Sequence, residues 1–294
     1  ANLRFEAVAE AAKKRPVDVR VPIERPSEYF GKYVFNRQKM YKYLPSDIYA
    51  KLVDVMDNGA RLDRSIANAV AEGMRQWAIE NGVTHFDHAD IYGRGNSEKL
   101  FGAYLKRNKC ARDKMFIQTK CAIHDGQYDF SKEHVISSVE GSLSRLGIDY
   151  VDMLLLHRPD TLMEPEEVAE AFDILESSGK VLNFGVSNHN PMQINLLKTA
   201  VKQPIMANQL QFSITESGMI TSGMNANMKN SESVMHDGSV LEYSRINNIT
   251  IQAWSPFQHG FFKGSYIDND EFPELNKKLA EIGVKYGLTK TGVV

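Results

Sequence analysis

Four residues carry side chains that could together move a proton at a carbonyl group: Asp87, Tyr92, Lys120 and His157. Each falls at or shortly beyond the end of a short, apolar, β-rich run. A phenol with the ordinary pKa near 10 is a poor acid at neutral pH, and an ammonium beside it stabilises the phenolate and brings the proton within reach. Lys120 is therefore expected to tune Tyr92. Asp87 is expected to pair with Lys120 and keep it charged, and His157 to orient a substrate carbonyl by hydrogen bonding. Singly, a strand-end lysine is ordinary solvated surface, and a lone histidine or tyrosine an ordinary structural residue. Together on one rim they describe a proton-donating site that needs a hydride.

The elements that would bring them together begin at residue 83, where short apolar runs alternate with longer segments of helical spacing, as in βαβ units. Strands are expected at 83–86, 115–119, 151–156, 181–186, 205–209 and 249–254. Crossover helices are expected at 132–146, capped by Ser131, and at 165–178, closed by Gly179. Strands buried on both faces allow an open doubly wound sheet or a closed (β/α)8 TIM barrel. Gly93-Arg94-Gly95-Asn96-Ser97-Glu98 lacks the third glycine of a G-x-G-x-x-G phosphate loop and reads as a glycine turn, which favours the barrel. Residues 1–82 read differently, with Pro16, Pro22 and Pro26, helices near 46–57 and 63–80, and no strand–helix alternation. The expected organisation is a mainly helical segment, 1–82, and an α/β barrel domain, 83–294.

The chain has 294 residues, with 35 Lys+Arg against 37 Asp+Glu, a net charge of −2, and no local basic patch. Nucleic acid and anionic membranes are therefore not expected partners. Apolar runs such as 151–156 fall far short of the roughly 20 residues that cross a bilayer. Two cysteines, Cys110 and Cys121, are too few for a disulfide framework or a zinc site, and the first residues lack an apolar signal core, so a cytoplasmic setting is expected. His85, Asp87, His88 and Asp90 crowd together, but alternate strand residues face opposite ways, so no histidine pair forms there and no metal site is expected. The stretch 211–237, with Met219, Met224, Met228 and Met235, reads either as a cover for the mouth that adapts to apolar shapes or as a surface loop.

Several dispersed motifs resemble the aldo-keto reductases. They are Phe86-Asp87-His88-Ala89-Asp90-Ile91-Tyr92-Gly93, Gln118-Thr119-Lys120, Leu155-Leu156-His157-Arg158-Pro159-Asp160, and the segment from Gly179 that ends in Ser187-Asn188. The resemblance implies a (β/α)8 barrel that reduces a small-molecule aldehyde or ketone with NADPH, NADH being left open. Asp87, Tyr92, Lys120 and His157 would be the catalytic tetrad, with Tyr92 as general acid. Ser187, Asn188 and Gln209 would hold the nicotinamide carboxamide, Phe212 would stack on its ring, and Trp254 and Ser255 would meet the pyrophosphate.

The family's first hairpin and strand, and its last strand with the arginine for the adenosine 2′-phosphate, are not recognisable, so a barrel incomplete at its ends is expected. Residues 1–85, including Glu28-Tyr29-Phe30-Gly31 and Trp77-Ala78-Ile79-Glu80-Asn81-Gly82-Val83-Thr84-His85, resemble the start of type III glutamine synthetases. None of that family's metal or nucleotide residues is carried over. The chain thus reads as a join of two pieces near 84–86. Two other functions stay open: a non-catalytic partner subunit on a reductase-like barrel, and a synthetase fragment that joins an oligomer.

Overall fold

The computed structural model describes residues 82–294 except 125, 235 and 262, with scattered positions between 47 and 80. The synthetase-like stretch and the helices expected at 46–57 and 63–80 thus lie almost wholly outside the described residues. The chain divides into two compact units, and His85–Phe262 holds every element around the four chemical residues.

That unit begins with β1 (His85–Asp87), α1 (Asn96–Arg107), β2 (Phe116–Cys121) and a short antiparallel hairpin of β3 (Ile123–His124) and β4 (Gln127–Tyr128). It continues with α2 (Lys132–Leu146), β5 (Met153–Leu156), α3 (Pro165–Ser177), β6 (Phe184–Ser187) and α4 (Pro191–Leu197). β7 (Ile205–Gln211), α5 (Gly218–Met224), α6 (Val240–Ile246) and β8 (Thr250–Trp254) complete it. In the other unit lie α7 (Pro273–Tyr286) and α8 (Lys290–Val293). All six expected strands are present. The hairpin and α1 had no counterpart in the sequence reading.

Six strands form one parallel sheet in the order β1-β2-β5-β6-β7-β8. The sheet is curled. Gln118 on β2 and Gln252 on β8 would stand four strand spacings apart in a flat sheet, roughly 19 Å, yet their amides exchange hydrogen bonds of 2.9 and 3.0 Å. A sheet closing on its own side chains is the α/β architecture of a TIM barrel.

Local chemistry explains the elements. β5 is a run of four buried apolar residues, as a strand covered on both faces requires. α2 starts where Ser131 Oγ accepts from the His134 amide and stops at Gly147, whose φ of +65° suits a residue without a Cβ. Val135, Val139, Leu143 and Leu146 line its buried face. α4 opens with a reciprocal capping box between Asn190 and Gln193. The Gly93–Gly95 turn, with all three residues at positive φ, leads into α1 as a tight chain reversal, which agrees with its reading as a plain turn.

Inside the curl, Met153, Leu155 and Ala207 pack with Phe116. Gly185 lies against them: a Cβ there would come within 2.6 Å of Leu155 Cδ2 and 2.8 Å of the Ala207 carbonyl oxygen. The strand period of two then places Gln118 and Lys120 after Phe116 on the same face of β2. The interior therefore changes from apolar to polar toward the carboxyl ends of the strands.

Candidate active site

Lys120 is the hub. Its ammonium donates to Asp87 Oδ2 at 2.6 Å, to the His88 carbonyl at 2.9 Å and to the Tyr92 hydroxyl at 3.3 Å. These account for all three donors of an ammonium, so its direction is fixed. β1 and β2 set up the encounter: they pair with His85 opposite Phe116 and Asp87 opposite Gln118, and the loop after β1 brings Tyr92 back over Lys120. His157 follows β5, and its ring meets that of Tyr92 edge-on, at 5.8 Å and 81°. The structure thus gathers Asp87, Tyr92, Lys120 and His157 at one end of the sheet.

Electrostatics fixes two charge states. Burial pushes the Asp87 carboxyl up, but the Lys120 charge and hydrogen bonds from Lys120, Gln118 and Gln209 outweigh it, so Asp87 sits below the ordinary carboxylate value and stays ionised. Burial and the nearby Lys120 charge drive His157 down to about 3, against a partial counter-effect from Asp87. His157 is thus a neutral imidazole at neutral pH, and its Nδ1 is buried with no hydrogen-bond partner among the described residues.

Beneath this rim lies a layer of amides, in which Gln209 joins two glutamines, Gln118 and Gln252, to which sequence reasoning gave no role. Gln118 Nε2 donates to Asp87 Oδ1 at 2.6 Å and to Gln252 Oε1 at 2.9 Å, and Gln209 Nε2 reaches Gln252 Oε1 at 3.2 Å. The available signal was the i, i+2 spacing of Gln118 to Lys120 and of Gln252 to Trp254, which puts each glutamine on its neighbour's face of the strand.

Ser187, Asn188 and Gln209 also come together. Ser187 Oγ donates to the Gln209 carbonyl at 2.9 Å. Asn188, at φ +64°, donates to Ser187 Oγ at 2.8 Å and to the His157 carbonyl at 3.3 Å, and its Oδ1 accepts from Trp254 Nε1 at 2.9 Å. Trp254 is therefore the aromatic tied to this pair. Phe212 follows β7, and its backbone amide donates to the Trp254 carbonyl at 3.4 Å. Arg158 lies 5.6 Å from the Trp254 ring centroid and 5.7 Å from that of Phe261. Ser255 turns the chain at φ +51°, its carbonyl accepting from the Gln258 amide.

The methionine-bearing stretch is folded in part as α5, where Met224 and nearby Met228 are exposed. Ser213 and Thr215 pin its start to the Gln258 carbonyl at 2.8 and 3.2 Å. His85 packs on Phe116 and His88 on Phe101, consistent with their facing apart. No helix among the described residues is long and apolar enough to cross a membrane.

A parallel sheet curled about its own side chains, with a carboxylate, a phenol, an ammonium and an imidazole gathered at the carboxyl ends of its strands, defines a barrel-type α/β protein. The aldo/keto reductase family profile matches residues 57–294, and the chain belongs to that family. Oxidoreductase YcsN of Bacillus subtilis, itself uncharacterised, is 40% identical over 205 residues, or 66% of this chain and 63% of that protein. The 6-dehydroglucose reductase of Agrobacterium fabrum is 34% identical over 215 residues, or 69% and 67%. The crystal structure of the thermostable aldo-keto reductase Tm1743 with the inhibitor epalrestat superposes with a TM-score of 0.59 at 26% identity, covering 78% of this chain and 72% of that one. The chain thus spans 63% and 67% of the lengths of the two relatives.

Proposed function

We propose that the chain reduces an aldehyde or ketone of a small molecule to an alcohol, with NADPH or NADH as cofactor and Tyr92 as general acid. The observation that carries this reading is the three-way commitment of Lys120 to Asp87, the His88 carbonyl and Tyr92. An ammonium aimed at a phenolic oxygen stabilises the phenoxide left when the proton goes to a carbonyl oxygen. Asp87 holds Lys120 in place. Neutral His157, whose ring meets that of Tyr92 edge-on, orients the carbonyl beside Tyr92.

The rim also suits the cofactor. A carboxamide NH2 group needs acceptors; Asn188 Oδ1 takes one protein hydrogen bond where an amide oxygen can take two, and Gln209 Oε1 takes none among the described residues. Ser187 holds this pair in position; Phe212 would stack on the nicotinamide ring, and Trp254 and Ser255 would meet the pyrophosphate. Bound there, the nicotinamide supplies the hydride that the rim lacks.

The test is turnover of an aldehyde panel with either cofactor, alongside cofactor titration read by the fluorescence of Trp254 and Trp77. Tyr92→Phe is expected to lower turnover by about 10²- to 10⁴-fold while cofactor binding persists. Full reduction rate in that variant would overturn the role of Tyr92.

A further inference from the structure

Outside the barrel rim, chemistry concentrates where the β3–β4 hairpin meets the first turn of α2. His124 ends β3, Asp129 follows β4 and His134 lies one turn into α2; one ligand atom from each lies within 4.8 Å of the other two. We propose that His124, Asp129 and His134 bind a divalent late transition-metal ion, Zn2+ or its congeners Co2+ and Ni2+, leaving at least one coordination position open.

Two imidazoles and one carboxylate are the donor set that such borderline ions take, whereas Ca2+ and Mg2+ demand oxygen-rich cages. Three atoms no more than 4.8 Å apart share a point within about 2.8 Å of each, so reaching metal bonds of about 2.0–2.2 Å asks each to move by roughly 0.7 Å. The backbone already holds the three close. The Asp129 amide donates to the Ala122 carbonyl at 3.0 Å, closing the base of the hairpin. Asp129 Oδ1 accepts from the Ser131 amide at 2.9 Å, and Ser131 Oγ accepts from the His134 amide, so carboxylate and second imidazole are tied to one cap residue. The His124 and His134 rings lie 5.0 Å apart at 24°, and turning about their side-chain bonds brings a nitrogen of each to the carboxylate.

The open position faces space. His124 and His134 line a cavity of about 320 Å3, whose other walls include Asp90, Ile91 and Arg94 from the loop after β1, and Ser138. Arg145 also borders it, but its charge is matched by Glu98 at 2.7 Å. A water or small anion on the metal would occupy this cavity. The same loop carries Tyr92, so the ion would clamp hairpin and helix beside the catalytic segment without touching substrate.

The experiment uses the 294-residue chain free of any affinity tag and stripped by chelator. Co2+ is titrated by its visible d–d absorption, and Zn2+ by calorimetry. One equivalent is expected to saturate a single site. His124→Ala and His134→Gln should each weaken binding by at least about a hundredfold, the upper end of what loss of an outer-shell partner costs, while His236→Ala, at an exposed histidine elsewhere, leaves the curve unchanged. His124 is exposed, so if His134→Gln fails to fold, the His124→Ala curve decides the matter. Absence of saturable binding, or a curve unmoved by the histidine changes, overturns the site.

Discussion

Two ion pairs of the His85–Phe262 unit each seal one partner from solvent, and they do so in opposite senses. In Lys120–Asp87 the cation is 0% exposed and the carboxylate 36%; in Arg145–Glu98 the carboxylate is 0% exposed and the guanidinium 25%. Desolvating an ion is costly, so the sealed member must be fully paired, and the open member decides what the pair can do. Lys120 spends its third donor on Tyr92, so its charge acts on a side chain that can react. Glu98 spends its second oxygen on the Thr119 hydroxyl at 2.8 Å, which reacts with nothing. That pair joins the first turn of α1 to the last turn of α2, and Gly95 and Gly141 leave room for it: a Cβ on either would come within 2.8 Å of the Arg145 side chain. One pair aims its charge at a phenol; the other locks two helices.

Removing the sealed cation of the first pair should strike catalysis hardest. Lys120→Met is expected to cut carbonyl reduction by about 10²- to 10⁴-fold in steady-state assays. Its unfolding free energy in urea should fall by no more than about 1–2 kcal/mol, because Asp87 reaches solvent and methionine replaces a sealed charge with an apolar chain. Arg145→Met should do the reverse. Glu98 is left sealed without a counter-charge, so urea unfolding should show a loss of about 3–5 kcal/mol. Reductase activity of the molecules still folded should stay near that of the parent. Equal destabilisation by the two changes would erase the distinction between the pairs.

A smaller effect sharpens the second pair. Burial pushes Asp90 up to about 6, with Glu98 adding to the rise and Arg145 opposing it, and Asp90 Oδ1 is buried without a hydrogen-bond partner among the described residues. The folded value lies above the unfolded 3.8, so the folded state holds the proton more tightly; the stability this gives is full below pH 3.8, falls as pH rises toward about 6, and is gone above it. Asp90→Asn should therefore raise stability by on the order of 1 kcal/mol at pH 8 and leave it unchanged below pH 3.8. Thermal melts at the two pH values check the sign. A gain that persists at the lower pH would show that charge is not the cause.

What could be read from the sequence depended on how local the signal was. The strands and the Ser131 cap carry their evidence within a few residues, and Asp87, Tyr92, Lys120 and His157 stand out because strand ends are where a parallel barrel places chemistry. The β3–β4 hairpin was overlooked because strands of two residues have no alternation to detect, although Gly126, at φ +82°, marks its turn. The Gln118–Gln252 exchange joins residues 134 apart, and nothing near either one announces the other. The roles of Phe212 and Trp254 rested on resemblance, and nothing near either residue in sequence points to Asn188. The hydrogen bond that ties Trp254 to Asn188 exists only once β6 and β8 are folded.

The strands lie side by side in the order in which the chain presents them. Each can therefore dock on its predecessor as it leaves the ribosome, with only one crossover of loop entropy to overcome at a time. The amide exchange between Gln118 and Gln252 breaks that sequence, since it waits for the last strand of the sheet. It is a late event in assembly, one that secures a curl already formed rather than starting it.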